Sequence, residues 1–151
     1  MIVRTVWFYA TLFVLGLYSI TAHAEQMQLF GKYEVHYSLV STQFISEQVA
    51  KAYGITRAKD RKLLNIAVRK RQGENSTIAQ RANIVGERSD LMKLYPVQFR
   101  EVTEGADDQA IYYLSEFRFI NREIARFDIR VQVVGQPTMQ LEFTKKLYFE
   151  D

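Results

Sequence analysis

The chain has 151 residues, no cysteine, and 20 basic side chains against 17 acidic ones. Without cysteine there is no disulfide staple, thiol catalysis, thiolate metal site or lipidated-cysteine anchor. The near-neutral balance gives no electrostatic reason for a nucleic-acid partner, and none is expected.

Arg4 supplies a short positive opening, and Val6 to Ile20 is almost continuously apolar. Ala22 and Ala24 then place small residues where a signal peptidase reads, and Glu25 begins polar sequence. This layout predicts a helical secretory leader over residues 1–24, cleaved between Ala24 and Glu25. The apolar run is short for a membrane span of about 20 residues. Left uncleaved, it would still hold Arg4 inside and the remaining chain outside the cytoplasm. Residues 25–151 are therefore expected in a bacterial envelope, most simply as a periplasmic domain not embedded in the membrane.

Period-2 alternation dominates residues 25–151. Leu29, Tyr33, Val35, Tyr37 and Leu39 share one face of a first strand, with Lys32, Glu34, His36 and Ser38 on the other. Ser46 to Tyr53 breaks the pattern and reads as a short helix. Ser46 is its N-cap, Val49, Ala50 and Tyr53 are its packed side, and Gly54 is its C-cap. Strand character returns at Leu63 to Arg71, and the turn chemistry of Gln72-Gly73-Glu74-Asn75 predicts a hairpin to Thr77–Val85. Leu91 to Val102 is the next extended run; Pro96 inside it marks an edge or a bulge, because proline cannot donate to a ladder. After the acidic turn at Glu104 to Asp108 come strands at Ala110 to Ile120 and Phe127 to Val133. Gly135-Gln136-Pro137 turns the chain into Met139 to Phe149, with a bulge expected at Lys145-Lys146. About seven short strands joined by turns predict a single all-β domain, an antiparallel immunoglobulin-like β-sandwich with one short helix.

The run Phe30-Gly31-Lys32-Tyr33-Glu34-Val35-His36-Tyr37 resembles the opening motif of the bacterial domain of unknown function 4426 family (DUF4426). Val49 to Ile55, the basic stretch from Arg57, Leu63 to Ile66, Phe99 to Val102 and Ala110 to Tyr113 extend the resemblance over nearly all of residues 25–151. Where the family pattern carries Asn before Gly in a turn after the second hairpin strand, this chain has Ile84-Val85-Gly86. The resemblance implies a small exported bacterial domain. It brings no assigned activity, cofactor or catalytic residue.

The usual catalytic constellations are missing. His36 is the single histidine of residues 25–151, and no Gly-x-Ser-x-Gly elbow accompanies it, so neither a multi-histidine metal site nor a serine triad is expected. Glu104, Asp107 and Asp108 cluster in one turn without the spacing of a calcium loop. Paired tyrosines and phenylalanines have the period of core and sheet packing. The most suggestive feature is basic: Arg57, Lys59, Arg61 and Lys62 lie together between the helix and the next strand. They read either as a solvated connection partly neutralised by Asp60 or as a site for phosphate groups or an acidic partner. The expectation is a non-catalytic binding or accessory module recognising an envelope protein. Its rivals are binding of an anionic envelope lipid or glycan at the basic loop, and carboxylate hydrolysis of an envelope polymer. No cofactor is expected.

Overall fold

Alternating apolar residues become strands throughout residues 26–151, the part of the chain that the computed structural model describes. The leader at 1–24 and its cleavage point at Ala24 and Glu25 lie outside the described residues. In chain order the elements are β1 (Gln26–Phe30), β2 (Tyr33–Ser41), α1 (Glu47–Tyr53), β3 (Arg61–Arg71), β4 (Thr77–Ala79) and β5 (Asn83–Ser89). They continue with β6 (Leu94–Val97), β7 (Arg100–Glu104), β8 (Ala110–Arg118), β9 (Ile124–Gln132) and β10 (Met139–Lys146). One antiparallel sheet runs β1-β2-β3-β8-β7, with β4 also paired to β3; the other runs β10-β9-β5-β6. The architecture is the expected antiparallel sandwich with one helix.

Ten strands replace the expected seven because three segments divide. Gly31, at φ 60°, turns the first segment into the hairpin β1–β2, with Phe30 opposite Tyr33. The segment 77–85 pairs with β3 only as far as Ala79, then crosses to the second sheet at Asn83. The segment 91–102 crosses back, with β6 on β5 and β7 on β8. Alternation has the same period on either sheet, so it cannot mark where a strand changes sheet. Pro96 does lie on an edge strand, β6. The expected bulge at Lys145-Lys146 is absent: β10 pairs with β9 without interruption to Lys146 opposite Ile124.

The inward residues meet between the sheets. Val35, Leu64, Ile66 and Val68 from the first sheet and Phe127, Ile129, Val131 and Leu141 from the second are fully buried. Aromatic rings thread this layer, Tyr37 on Phe143 at 4.5 Å, Phe143 on Phe127 at 4.7 Å and Phe127 against Phe117 at 5.5 Å. Each such contact adds about 0.5–1.5 kcal/mol beyond area burial. On the outer face of the first sheet α1 closes a smaller core of Ala50, Ile55, Leu63 and Leu114. Its caps are as expected: Ser46 Oγ accepts the Val49 N–H at 3.3 Å, and Gly54 is left-handed. Val49, expected on the packed side, is largely exposed.

Gly86 is not in a turn. It sits inside β5 opposite Val97 and Ile129. A Cβ there would lie 2.9 Å from Ile129 Cγ1 and 3.0 Å from the Asp128 carbonyl oxygen, so the neighbouring strand leaves no room for one. Gly86→Ala should therefore lower unfolding free energy by about 1–3 kcal/mol, the usual cost of overpacking. Urea denaturation measures it; an unchanged midpoint contradicts the close approach.

Candidate functional site

The basic segment does not form one displayed cluster. Arg57 turns back to α1, its Nη1 3.1 Å from Glu47 Oε1 and its Nη2 donating to the Gln43 carbonyl at 3.1 Å. Arg61 and Lys62 are consecutive in β3 and so point to opposite faces. Arg61 pairs with Glu116. Lys62 is buried at the sandwich end, its Nζ 2.6 Å from Glu150 Oε1 and 5.7 Å from the centre of the Phe119 ring. Asp60 is held by Arg118, whose Nε and Nη2 donate at 2.7 and 2.5 Å. Of the four cations only Lys59 has no carboxylate partner among the described residues.

Lys62 opens onto a groove of about 250 Å³ between β2 and β10. Leu39, Tyr37 and Phe143 form its apolar floor, and Lys145, Lys146 and Tyr148 form its rim. The Lys146 ammonium stands 5.5 Å from the centre of the Tyr148 ring. Neither Lys145 nor Lys146 pairs with a carboxylate among the described residues. The groove lies beside β10, whose outer edge has no partner strand among the described residues. That edge is 8 residues long and free of proline, whereas β6 on the far side is 4 residues long and carries Pro96.

A second groove, of about 400 Å³, lies at the end of the sandwich around Arg88. Arg88 is buried, with its guanidinium carbon 4.6 Å from the centre of the Tyr95 ring and 4.9 Å from that of Phe117. It donates to Glu123, which also accepts the Ile120 N–H at 2.9 Å. Asp90 Oδ1 accepts the N–H groups of Met92 and Lys93 at 3.1 and 2.9 Å, and its Oδ2 accepts the Tyr95 hydroxyl at 2.8 Å. That hydroxyl, helped by the two N–H groups, holds the Asp90 carboxyl below its ordinary range, and Arg118 does the same for Asp60. The same bond raises the Tyr95 phenol. Asp60 and Asp90 are thus kept ionised, the wrong state for a general acid.

His36, Glu104 and Asp108 are also engaged. His36 Nε2 lies 3.0 Å from Glu34 Oε2. Glu104 accepts from the Tyr53 hydroxyl, and Asp108 pairs with Arg81 at 3.0 Å. Among the described residues no group of three or more His, Asp or Glu side chains is placed to hold a metal ion, and no helix is long and apolar enough to cross a membrane. Sequence reasoning passed over Arg88, yet its position was a signal: in Ile84-Val85-Gly86-Glu87-Arg88 it falls on the inward parity of an alternating strand. Lys145 and Lys146 were read as strand irregularity because nothing local places β2 across from β10.

Fold and grooves together define a two-sheet antiparallel sandwich with surface clefts. Residues 27–150 match the family described as domain of unknown function (DUF4426), and the chain belongs to that family. It is also similar to the crystal structure of a DUF4426 family protein from Pseudomonas aeruginosa PAO1. The two are 32% identical with a TM-score of 0.69 over 84% of this chain and 97% of that one. No curated protein matches.

Two outcomes follow from the Arg88 groove. Glu123→Ala strands a buried guanidinium and should cost about 3–5 kcal/mol in chemical denaturation. Asp60 and Asp90, with carboxyls lowered by folding, stabilise the fold above the ordinary carboxylate range of about pH 4, and that contribution fades as pH falls through their lowered values. Asp90→Asn removes one of these terms, so its urea midpoint should fall less than that of the parent between about pH 5 and about pH 3. Equal acid sensitivity contradicts the assignment.

Proposed function

We propose that this chain is a non-catalytic periplasmic module, exported by its leader, that captures an extended acidic segment of an envelope protein along β10. One observation carries the reading. Among the described residues the outer β10 edge has no partner strand, and it runs beside a groove with an apolar floor and two lysines without a carboxylate partner. In strand addition the main-chain bonds of an open edge provide affinity, and pockets beside it select side chains. Lysines on the edge disfavour pairing of two copies of this chain and favour an acidic strand. Of the four basic-segment residues, Lys62 belongs to this site. Arg57, Lys59 and Arg61 lie outside it. Hydrolysis has less support, because the carboxylates of the Arg88 groove are each held by a donor.

A photo-crosslinking phenylalanine analogue at Thr144, on the β10 edge, should yield a discrete protein adduct in cells. The same analogue at Pro96, on the β6 edge, should not. Lys145→Glu with Lys146→Glu should reduce the Thr144 adduct by about tenfold or more, the scale of reversing two rim charges. Equal adducts from both edges, or none from Thr144, would sink the proposal. Loss with Arg57→Glu and Lys59→Glu alone would move the site to the basic loop.

A further inference from the structure

The turns at the α1 end of the sandwich present apolar side chains to solvent. Ser89 pairs with both Leu94 and Arg126, so the β5–β6 turn and the β8–β9 turn lie at the same end. Leu91 is 77% exposed, Met92 89% and Ile120 74%. The two turns are neighbours, since Asp90 and Ile120 both line the Arg88 groove. A large apolar side chain left this open at two adjacent tips is expensive to keep in water unless something covers it.

Both tips are also built in advance. Leu91 at φ 75° and Arg122 at φ 70° are left-handed without being glycine, a conformation that persists only where surrounding bonds impose it. Asp90 imposes it on the first turn through the N–H groups of Met92 and Lys93 and the Tyr95 hydroxyl. In the second turn the Glu123 carboxylate accepts the Ile120 N–H, and the Arg122 N–H donates to the Leu147 carbonyl at 2.8 Å. Little conformational freedom remains to be lost on contact.

Charge selects the partner. Lys93 and Arg122 directly flank the apolar tips, Lys59 stands in the adjoining loop, and none of the three has a carboxylate partner among the described residues. The carboxylates nearby are spoken for: Asp60 by Arg118, Asp90 by Tyr95, Glu123 by Arg88. Asp151, at the last position, is the exception. Convex apolar tips bordered by uncommitted cations match the headgroup boundary of an anionic bilayer, where apolar groups dip into the acyl region and ammonium and guanidinium groups remain among phosphates. We infer that Leu91, Met92 and Ile120 dip into an anionic lipid surface, with Lys93, Arg122 and Lys59 among its headgroups. β10 runs from the far end towards this one, so a seated domain keeps its β10 edge open above the surface.

The test uses residues 25–151, because the apolar stretch at 6–20 would itself bind lipid. The family match spans residues 27–150, and the solved DUF4426 relative is covered over 97% of its own chain, so a chain of this extent folds in that relative. Co-sedimentation with vesicles of phosphatidylglycerol and phosphatidylethanolamine should recover the protein, and vesicles of phosphatidylcholine should not. Added salt should release it, because the headgroup contacts are screened. Leu91→Asn with Met92→Ser should weaken binding by about tenfold or more through lost apolar insertion. Asparagine tolerates the left-handed conformation, so this variant keeps its fold. Lys93→Glu with Arg122→Glu should weaken it comparably, while Lys70→Glu with Arg130→Glu, towards the far end of the sandwich, should leave it intact. Absence of binding to anionic vesicles overturns the inference, as does binding indifferent to the tip residues. Tip-dependent capture of a protein without vesicle binding overturns it too, in favour of a protein interface.

Discussion

Everything in this molecule depends on keeping two sheets together without a covalent link. The chain has no cysteine, so the apolar layer between the sheets has to do what a disulfide does in many exported domains. Fully buried aliphatic residues from both sheets close that layer, and the ring series Tyr37, Phe143, Phe127 and Phe117 passes from the first sheet through the second and back. Tyr37 and Phe143 also form part of the floor of the β10 groove. The rings that secure the sheets thus leave a cleft where the series meets the open side.

The two sides of the sandwich treat their edges differently. On one side β6 is short and carries Pro96, and β7 is 5 residues long. On the other, β10 is long and regular, and among the described residues its outer edge has no partner strand. A sheet edge presents main-chain donors and acceptors to any strand that reaches it, so natural proteins blunt edges that serve no purpose. The contrast between the short, proline-bearing β6 edge and the long β10 edge is the physical ground for the proposal that a partner strand adds to β10.

The α1 end is organised around Arg88. Its guanidinium is stacked between Tyr95 and Phe117 and paired with Glu123, which fixes β5, β6, β8 and the β8–β9 turn relative to one another. A buried ion pair adds little net stability over an apolar replacement of the same shape. Here it positions the two turns that carry Leu91, Met92 and Ile120. The acidic residues consumed in this scaffold are the ones that would otherwise have balanced the surface cations beside those tips.

The sequence by itself determined the all-β class, the capped helix from Ser46 to Gly54 and most inward-facing residues, and it narrowed Pro96 to an edge or a bulge. Each of these is written in local chemistry: period-2 alternation, a hydroxyl at an N-cap, a glycine at a C-cap, a proline without an N–H. Only the tertiary structure decided which sheet each strand joins, since nothing local in Thr77 to Val85 or Leu91 to Val102 records the crossing from one sheet to the other. It alone separated Arg57, Lys59, Arg61 and Lys62, giving Arg61 and Lys62 carboxylates distant in sequence and turning Arg57 back to Glu47 on α1. It also brought Lys62 to Lys145 and Lys146 and gathered Arg88, Glu123 and Tyr95. Those arrangements rest on contacts between residues far apart along the chain, and no local pattern records which distant residue a side chain will meet.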